Sequence, residues 1–435
     1  MIDIKRIRED KENTLRLLQK RIDIKSLDNI IELDNKRKKI IQEMSRLQEL
    51  RNKTSKQIAI MKKNKKSVDE DILLMREVGD KIGELNKKVK SIEKDLFNTL
   101  SSLPNIPDED VLSGGKENNQ VISRYKEKTN FSFEPKDHVT LGTELNLIDY
   151  EKGIKLSGQG SWIYTNLGAR LEWALINYFI NTHISDGWNF MLVPHMLNYE
   201  CGYTAGQFPK FQEEVYWIDG IFRKDGKFIL PTAETALVNL HRNETLSESE
   251  LPKKYFSYTP CYRREAGSSR VEERGTIRGH QFNKVEMVQY TTDNDSDRAF
   301  YEMLEKAENL VKQLGLHYQI SKLAAGDCSA SMCKTYDVEV WIPSMGQYKE
   351  VSSVSNSRDY QARRGNMKYR DSTGKIKLMH TLNASGLATS RLFPAILEQY
   401  QQEDGSIIIP EVLRPYMGGL EKIENNNKKV LKRKK

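Results

Sequence analysis

Two apolar series with alternating spacings of four and three residues run through the first hundred positions, and they constrain this chain more than any other feature. The first is Leu33, Arg37, Ile40, Met44, Leu47, Arg51, Thr54, Ile58 and Met61; the second, cleaner, is Val78, Ile82, Leu85, Val89, Ile92, Leu96 and Thr99. A mean spacing of about 3.5 residues keeps one seam of a helix facing a partner, so each series predicts a helix of about 30 to 35 residues. Between them Lys62-Lys63-Asn64-Lys65-Lys66-Ser67 offers no apolar anchor, and Asp69-Glu70-Asp71 places acids where a helix N-terminus favours them. The expected result is an antiparallel coiled-coil hairpin over residues 28–100, about 50 Å long, that stops at Pro104-Asn105-Ile106-Pro107. Dimerisation is the common use of such heptads. A hairpin, however, satisfies its own seam and leaves its outer faces free, which suits a projecting arm.

Charge separates this region from the rest. Of 435 residues, 69 are Lys or Arg and 61 are Asp or Glu, and residues 1–100 hold 26 of the bases and 18 of the acids, the whole net excess of eight. The final stretch Lys428–Lys435 adds six bases and no acid, which leaves the body between acidic. Basic ends on an acidic body point to a polyanion partner held by the N-terminal part, against the plainer reading of a solvated lysine-rich surface. No run of about 18 apolar residues is present, and Met1-Ile2-Asp3-Ile4-Lys5 lacks a signal-peptide core, so a cytoplasmic protein without membrane contact is expected. Cys201, Cys261, Cys328 and Cys333 form no CxxC pair and read as reduced, structural thiols.

Past a polar linker, placed at 106–135, the texture becomes mixed. Leu167–Thr182 reads as an amphipathic helix followed by a turn and strand over Gly187–Pro194. Strands are predicted at 214–219, 226–230, 255–263, 280–290, 336–342 and 347–353, and helices at 232–242, 293–315 and 386–401. Strands that follow one another without crossover helices favour an α+β fold with an antiparallel sheet. Neither GxGxxG nor GxxxxGK[ST] occurs, which disfavours Rossmann and P-loop nucleotide sites.

The densest chemistry lies between Tyr262 and Glu286. Arg263 and Glu265 on one strand, a charged loop, and Arg278, His280, Phe282 and Glu286 at even spacing on a return strand would form a hairpin. Guanidinium forks on such a face suit phosphate oxygens, and a Phe among them offers a base a stacking surface. A salt-bridged surface hairpin is the bland alternative. Further on, Glu350-Val-Ser-Ser353 could hold a hard cation, and Asn383-Ala-Ser-Gly-Leu-Ala-Thr-Ser-Arg391 leads into an apolar helix with an arginine suited to phosphate.

Taken in register, these segments resemble the bacterial-type seryl-tRNA synthetases, which are class II aminoacyl-tRNA synthetases. The resemblance spans nearly the whole chain. It runs through Gly206-Gln-Phe-Pro-Lys-Phe211, Thr232-Ala233-Glu234, Arg263-Arg264-Glu265, His280-Gln-Phe-Asn-Lys-Val-Glu286 and Pro410-Glu-Val-Leu-Arg-Pro-Tyr-Met-Gly-Gly419, with Pro194 at the first motif's proline. It implies a class II catalytic domain over 136–424, preceded by a tRNA-binding arm over 1–105 and followed by a basic tail over 425–435. It implies a homodimer that joins L-serine to serine tRNA, and also to selenocysteine tRNA, using ATP and Mg²⁺. Arg263 and Arg391 would act on the ATP phosphates, Glu265 on the adenine, Phe282 as its stacking partner and Arg278 on the γ-phosphate. Glu350 and Ser353 would hold magnesium or the α-phosphate. Serine would meet Thr232, Ala233, Glu234, Arg263, Glu286, Asn383 and Ser385.

Three stretches depart from the family pattern. Ser268-Ser-Arg-Val-Glu-Glu-Arg274 lacks a usual glycine and adds acids, Ala384 stands for a usual Gly in Asn-Gly-Ser, and Ser390 precedes Arg391 in place of Gly. The resemblance therefore implies a housekeeping enzyme, with a specialised second copy (inhibitor-tolerant or biosynthetic) and a silent tRNA-binding paralogue as alternatives.

Overall fold

The two heptad series become the helices Asp28–Lys63 and Asp69–Ser102, in a computed structural model that describes residues 1–265 and 275–424. Exposure along them follows the predicted seam. Val78, Leu85, Val89 and Leu96 are buried, as is Thr54, and Leu33, Ile40, Met44, Leu47, Ile58 and Met61 are half-buried among exposed neighbours. Arg51 is the exception and stays exposed, since an unpaired guanidinium is better solvated by water than by a seam. Arg37 is accommodated differently. It donates to the fully buried carboxylate of Asp34 at 2.9 Å, which also takes Arg8 at 2.7 Å and lies 3.3 Å from Lys38. Burial opposes ionisation of Asp34, but hydrogen bonds from those three cations outweigh it and hold the carboxyl below its usual range. These helices belong to a first compact unit, Met1–Ile106.

The second unit, from Pro107 onward, is built on one eight-stranded sheet. In chain order its strands are β1 Gln120–Tyr125, β2 Asn189–Phe190, β3 Lys253–Tyr262, β4 Gln281–Thr291, β5 Tyr318–Lys322, β6 Lys334–Ile342, β7 Gln347–Arg358 and β8 His380–Ala388. They lie in the order β1-β5-β6-β7-β8-β4-β3-β2. All neighbours are antiparallel except the edge pair β2 and β3. The helices Asn166–Ser185, Ser296–Gln313 and Thr389–Gln399 bury Leu171, Phe179, Phe300, Met303, Phe393 and Ile396 against Val285, Met287, Val338, Val354 and Ala384 of the sheet.

Several sequence boundaries move. The helix predicted at 232–242 shrinks to Glu234–Leu237 and turns, because Thr232 and its neighbours are committed to the cleft described below. The helix predicted from 386 starts at Thr389, since 386–388 complete strand β8. Strands β1, β5 and β8 were not foreseen: β1 has no apolar alternation, and in β5 (Tyr318, Ile320) and β8 (Leu382, Ala384) it is only two apolar residues long. The segment placed as a linker contains β1 and a charged clamp. Asp108 pairs with Arg358 at 2.8 Å and Lys334 at 3.3 Å, and Asp110 with Lys334 and Lys322 at 3.1 and 2.7 Å. Among the described residues no helix is long and apolar enough to cross a membrane.

Leu85 is 5% exposed on the seam. Leu85→Ala is expected to destabilise the hairpin by about 2–4 kcal/mol. Hydrogen exchange on the intact chain should show amides of 69–102 exchanging faster while those of β4 and β8 hold their protection.

Candidate active site

Strand β4 sits between β8 and β3, so its two faces have different fates. Val285 and Met287 enter the core, while Phe282, Lys284 and Glu286 face a cavity of about 450 Å³. On β8 the same alternation sends Asn383 and Ser385 to the cavity and Ala384 to the core. The methyl that distinguishes Ala384 from glycine is therefore packed on the opposite face of the sheet from the cavity.

Two bulges aim further side chains into the cavity. On β7 the pairing slips between Val338 and Glu339, leaving Val351 as an extra residue, so that Glu350 and Ser353, three apart, line the same side. On β8 the pairing slips between Lys284 and Glu286, and Leu387 takes a φ of 93°, strain of about 1–3 kcal/mol for a side chain of this size. Ser385 and Ala388 consequently share the cavity as well. Beside the slip, Gly386 is obligatory for space. A Cβ there would lie 2.6 Å from Nε2 of His183, a buried imidazole that burial depresses to about 4 and keeps neutral.

One side of the cavity gathers buried charge. Lys284 Nζ lies 2.5 Å from Glu286 Oε2, and both side chains are nearly or wholly out of solvent. Asn383 donates to Glu286 Oε1 at 3.1 Å, and the Ser385 hydroxyl stands 3.5 Å from Oε2. A second carboxylate, Glu234, accepts from Gln361 at 2.9 Å, while its backbone N–H donates to Thr232 Oγ1 at 3.3 Å. Burial, and after it the charge of Glu286, push Glu234 up to about 7, with Gln361, Lys284 and Arg263 pulling the other way.

The remaining walls are arginine-rich. Strand β3 ends at Tyr262, short of both Arg263 and Glu265, which the hairpin reading placed on it, yet Arg263 is still fixed by its N–H to His280 O at 2.9 Å. Its guanidinium donates to Pro231 O and lies 5.1 Å from the centre of the Phe282 ring. Glu265 turns off the strand direction with φ 51° and takes Arg278 at 2.6 Å. Opposite, Arg391 donates to Glu350 O at 2.8 Å and lies 3.4 Å from its carboxylate. Arg391 rides on a helix containing Pro394, which cannot donate to the Ser390 carbonyl four residues back. Thr276 Oγ1 donates to that carbonyl at 2.7 Å instead and ties the return of the hairpin to the helix.

Every residue given a role toward ATP, serine or magnesium from the sequence lines this cavity except Ala233, which is buried in a cluster with Leu237 and Tyr255. His280, expected on the same face as Phe282, lies outside the cavity lining, with Nδ1 3.1 Å from Arg263 O. Sequence reasoning missed Lys284 and Gln361. Lys284 had a signal in the even spacing from 278 to 286; Gln361 had none, because its partner is over a hundred residues away. The altered loop 268–274 lies outside the described residues, as does the basic tail 425–435.

An antiparallel sheet with arginines and carboxylates facing one deep cleft is the core of a class II aminoacyl-tRNA synthetase, and the family model of the tRNA synthetase class II core domain (G, H, P, S and T) matches residues 216–400. The seryl-tRNA synthetase N-terminal domain matches residues 1–107. The serine–tRNA ligase 2 of Clostridium acetobutylicum is 59% identical over 96% of this chain and 99% of its own length. The serine–tRNA ligase of Petrotoga mobilis is 45% identical over 96% and 99%. Among solved structures, the seryl-tRNA synthetase of Pyrococcus horikoshii complexed with ATP superposes with a TM-score of 0.91 at 33% identity, covering 98% of this chain and 99% of that one. This chain belongs to the seryl-tRNA synthetase family, the ATP-dependent serine–tRNA ligases.

Lys284→Met would strand the Glu286 carboxylate in a buried site with only an amide and a distant hydroxyl. A loss of roughly 3–5 kcal/mol in stability is expected, read as a lowered midpoint in thermal or urea unfolding.

Proposed function

We propose that this protein activates L-serine with ATP and transfers it to serine tRNA, and that the cavity residues divide the work as follows. Arg263 and Arg391 neutralise and bend the triphosphate, Phe282 stacks on the adenine and Glu265 accepts from it, and Arg278 swings from Glu265 to the γ-phosphate. Glu234 and Thr232 meet the serine ammonium, while Glu286, Asn383 and Ser385 meet its hydroxyl, with Arg263 on its carboxylate. The observation that carries this reading is the convergence of a buried carboxylate, Glu286, a half-buried one, Glu234, and an arginine over the Phe282 ring in one cavity.

The chemistry needs no nucleophilic side chain. A serine carboxylate oxygen attacks the α-phosphorus, the bond to the β-phosphate oxygen breaks and pyrophosphate leaves. A ribose hydroxyl at the tRNA 3′ end then attacks the acyl carbon of seryl-adenylate and AMP departs. Alignment and charge neutralisation supply the rate.

A divalent ion fits the donor set. Among the described residues no three His, Cys, Asp or Glu side chains are placed to hold a metal by themselves, but Glu350 and Ser353 offer two hard oxygens on one face. A third lies close by, Asp337 Oδ1, which has no partner and whose carboxyl is raised by burial and then by Glu350. Two protein oxygens plus substrate phosphates is the usual arrangement for Mg²⁺, and Glu350 and Ser353 are proposed to hold it. The ion when bound offsets phosphate charge; orientation is left to the arginines.

A homodimer is supported by exposed apolar side chains grouped around Asn166–Ser185 and the stretch after it: Trp173, Phe190, Leu192 and Met196, with Leu192 77% exposed. The basic heptad hairpin is proposed to grip the tRNA, selenocysteine tRNA included, in the cytoplasm. A specialised second copy is the other reading. It draws on the altered loop 268–274, on Ser390 in the cavity wall, and on the likeness to a relative named ligase 2; retained activity in the presence of a serine-mimicking inhibitor would favour it.

Glu286→Ala is expected to lose serine activation by at least ~100-fold, since the hydroxyl's charged partner disappears, while ATP affinity changes less than threefold. Equal loss of both in separate binding assays would reject the assignment. Deleting residues 1–106 should leave adenylate formation intact and abolish tRNA charging; charging at full rate would remove the hairpin from tRNA recognition.

A further inference from the structure

Gln361 does not itself line the cavity, yet its amide bonds two residues that do, Ala205 and Glu234. It lies on the short helix Tyr360–Gly365 and is 2% exposed. Its Nε2 stands 3.0 Å from the backbone carbonyl of Ala205. A carbonyl can only accept, so the NH2 group and not the oxygen must face that way. The second N–H then points at Glu234 Oε1, 2.9 Å off. On the other side Oε1 of Gln361 receives the Thr381 hydroxyl at 2.7 Å, while the Ser357 hydroxyl lies 2.6 Å from Thr381 Oγ1 and 3.2 Å from Gln361 Oε1 and gives its one proton to one of them. A flip would turn the amide oxygen toward two acceptors, Ala205 O and Glu234 Oε1, and lose both hydrogen bonds.

We propose that Gln361 is a positioning residue for amino-acid recognition: its locked amide holds Glu234 by one oxygen and favours the ionised carboxylate, leaving Oε2 to receive the ammonium of the bound amino acid. This rests on the proposed role of Glu234. The charged groups facing Glu234 are Glu286 and Lys284 on β4 and Arg263 at the end of β3. Glu286 disfavours its charge, while the two cations and the Gln361 amide favour it. Nothing else among these is neutral, so Gln361 alone stabilises the carboxylate by geometry without altering the net charge of the site.

The sign of the pH dependence follows. An ammonium binds the ionised form, and the free carboxyl lies near 7. Serine kcat/KM should therefore climb tenfold per pH unit below about 7 and level off above it. Removing a donor to the charged form raises the pKa and moves that bend upward.

The experiment is serine-dependent pyrophosphate exchange from pH 5.5 to 9 on the full-length protein, with Gln361→Met, Gln361→Glu and Glu234→Gln. Gln361→Met should shift the bend up by about one unit. It should also raise serine KM about fivefold at pH 7, as the ionised fraction falls from about one half to about one eleventh, recover near pH 9, and keep ATP KM within twofold. Gln361→Glu, close to isosteric but without an N–H, should shift it further in the same direction. A pH-independent drop, or parallel loss of ATP KM, in both variants overturns the proposal and marks Gln361 as structural. If Glu234→Gln itself leaves serine KM unchanged, the underlying assignment of Glu234 fails instead.

Discussion

The register of Gln281–Thr291 between its two antiparallel neighbours is the constraint on which the rest depends. With Glu286 opposite Ser257 on one side and Ser385 on the other, one face of the strand is committed to the core by Val285 and Met287, and the other to the cleft by Phe282, Lys284 and Glu286. A slip of one residue would exchange the two faces and bury the charges in the core. The slips that shape the cleft lie off this strand, at Gly386-Leu387 on β8 and at Val351 on β7 beyond it. There they add residues to the cleft without disturbing the central strand. Gly386 against His183 and the strained Leu387 are local concessions to that geometry.

Charge is the second organising factor. Three ion pairs stand in the cavity before any ligand arrives: Lys284 with Glu286, Arg278 with Glu265, Arg391 with Glu350. The first pair is buried and fixed, and the other two sit at the more exposed end. That division matches a site whose amino-acid end is rigid and whose phosphate end exchanges protein carboxylates for phosphate oxygens. Glu234 is half-buried, raised to about 7, and held by a neutral amide.

Much of this was legible in the sequence where a period or a local motif carried it. The heptads marked the seam almost position by position, and failed only at Arg51, whose charge keeps it in water. The even spacing from 278 to 286 placed Phe282 and Glu286 correctly. It failed at His280, because the strand begins only at Gln281. What stayed hidden depends on partners distant in the chain. The alternation of strand β8, Leu382 and Ala384 to the core against Asn383 and Ser385 to the cleft, is only two residues long on each face before the bulge at Gly386-Leu387 breaks it, so Asn383 and Ser385 were placed by resemblance and not by pattern. The bulge that brings Glu350 and Ser353 together cannot be read from either residue alone. Gln361 meets Glu234 across 127 positions, and the clamp of Asp108 and Asp110 on β5, β6 and β7 turned an apparent linker into part of the sheet's edge.

The central claim is that the buried carboxylates and hydroxyls of this cleft select serine by its ammonium and hydroxyl together. Amino-acid-dependent pyrophosphate exchange with serine, threonine, alanine and cysteine tests it most directly. The account predicts strong exchange with serine, weaker exchange with threonine, whose extra methyl changes binding by only about 1–3 kcal/mol, and almost none with alanine, which leaves Glu286 without a hydroxyl. Exchange with alanine comparable to that with serine would contradict it.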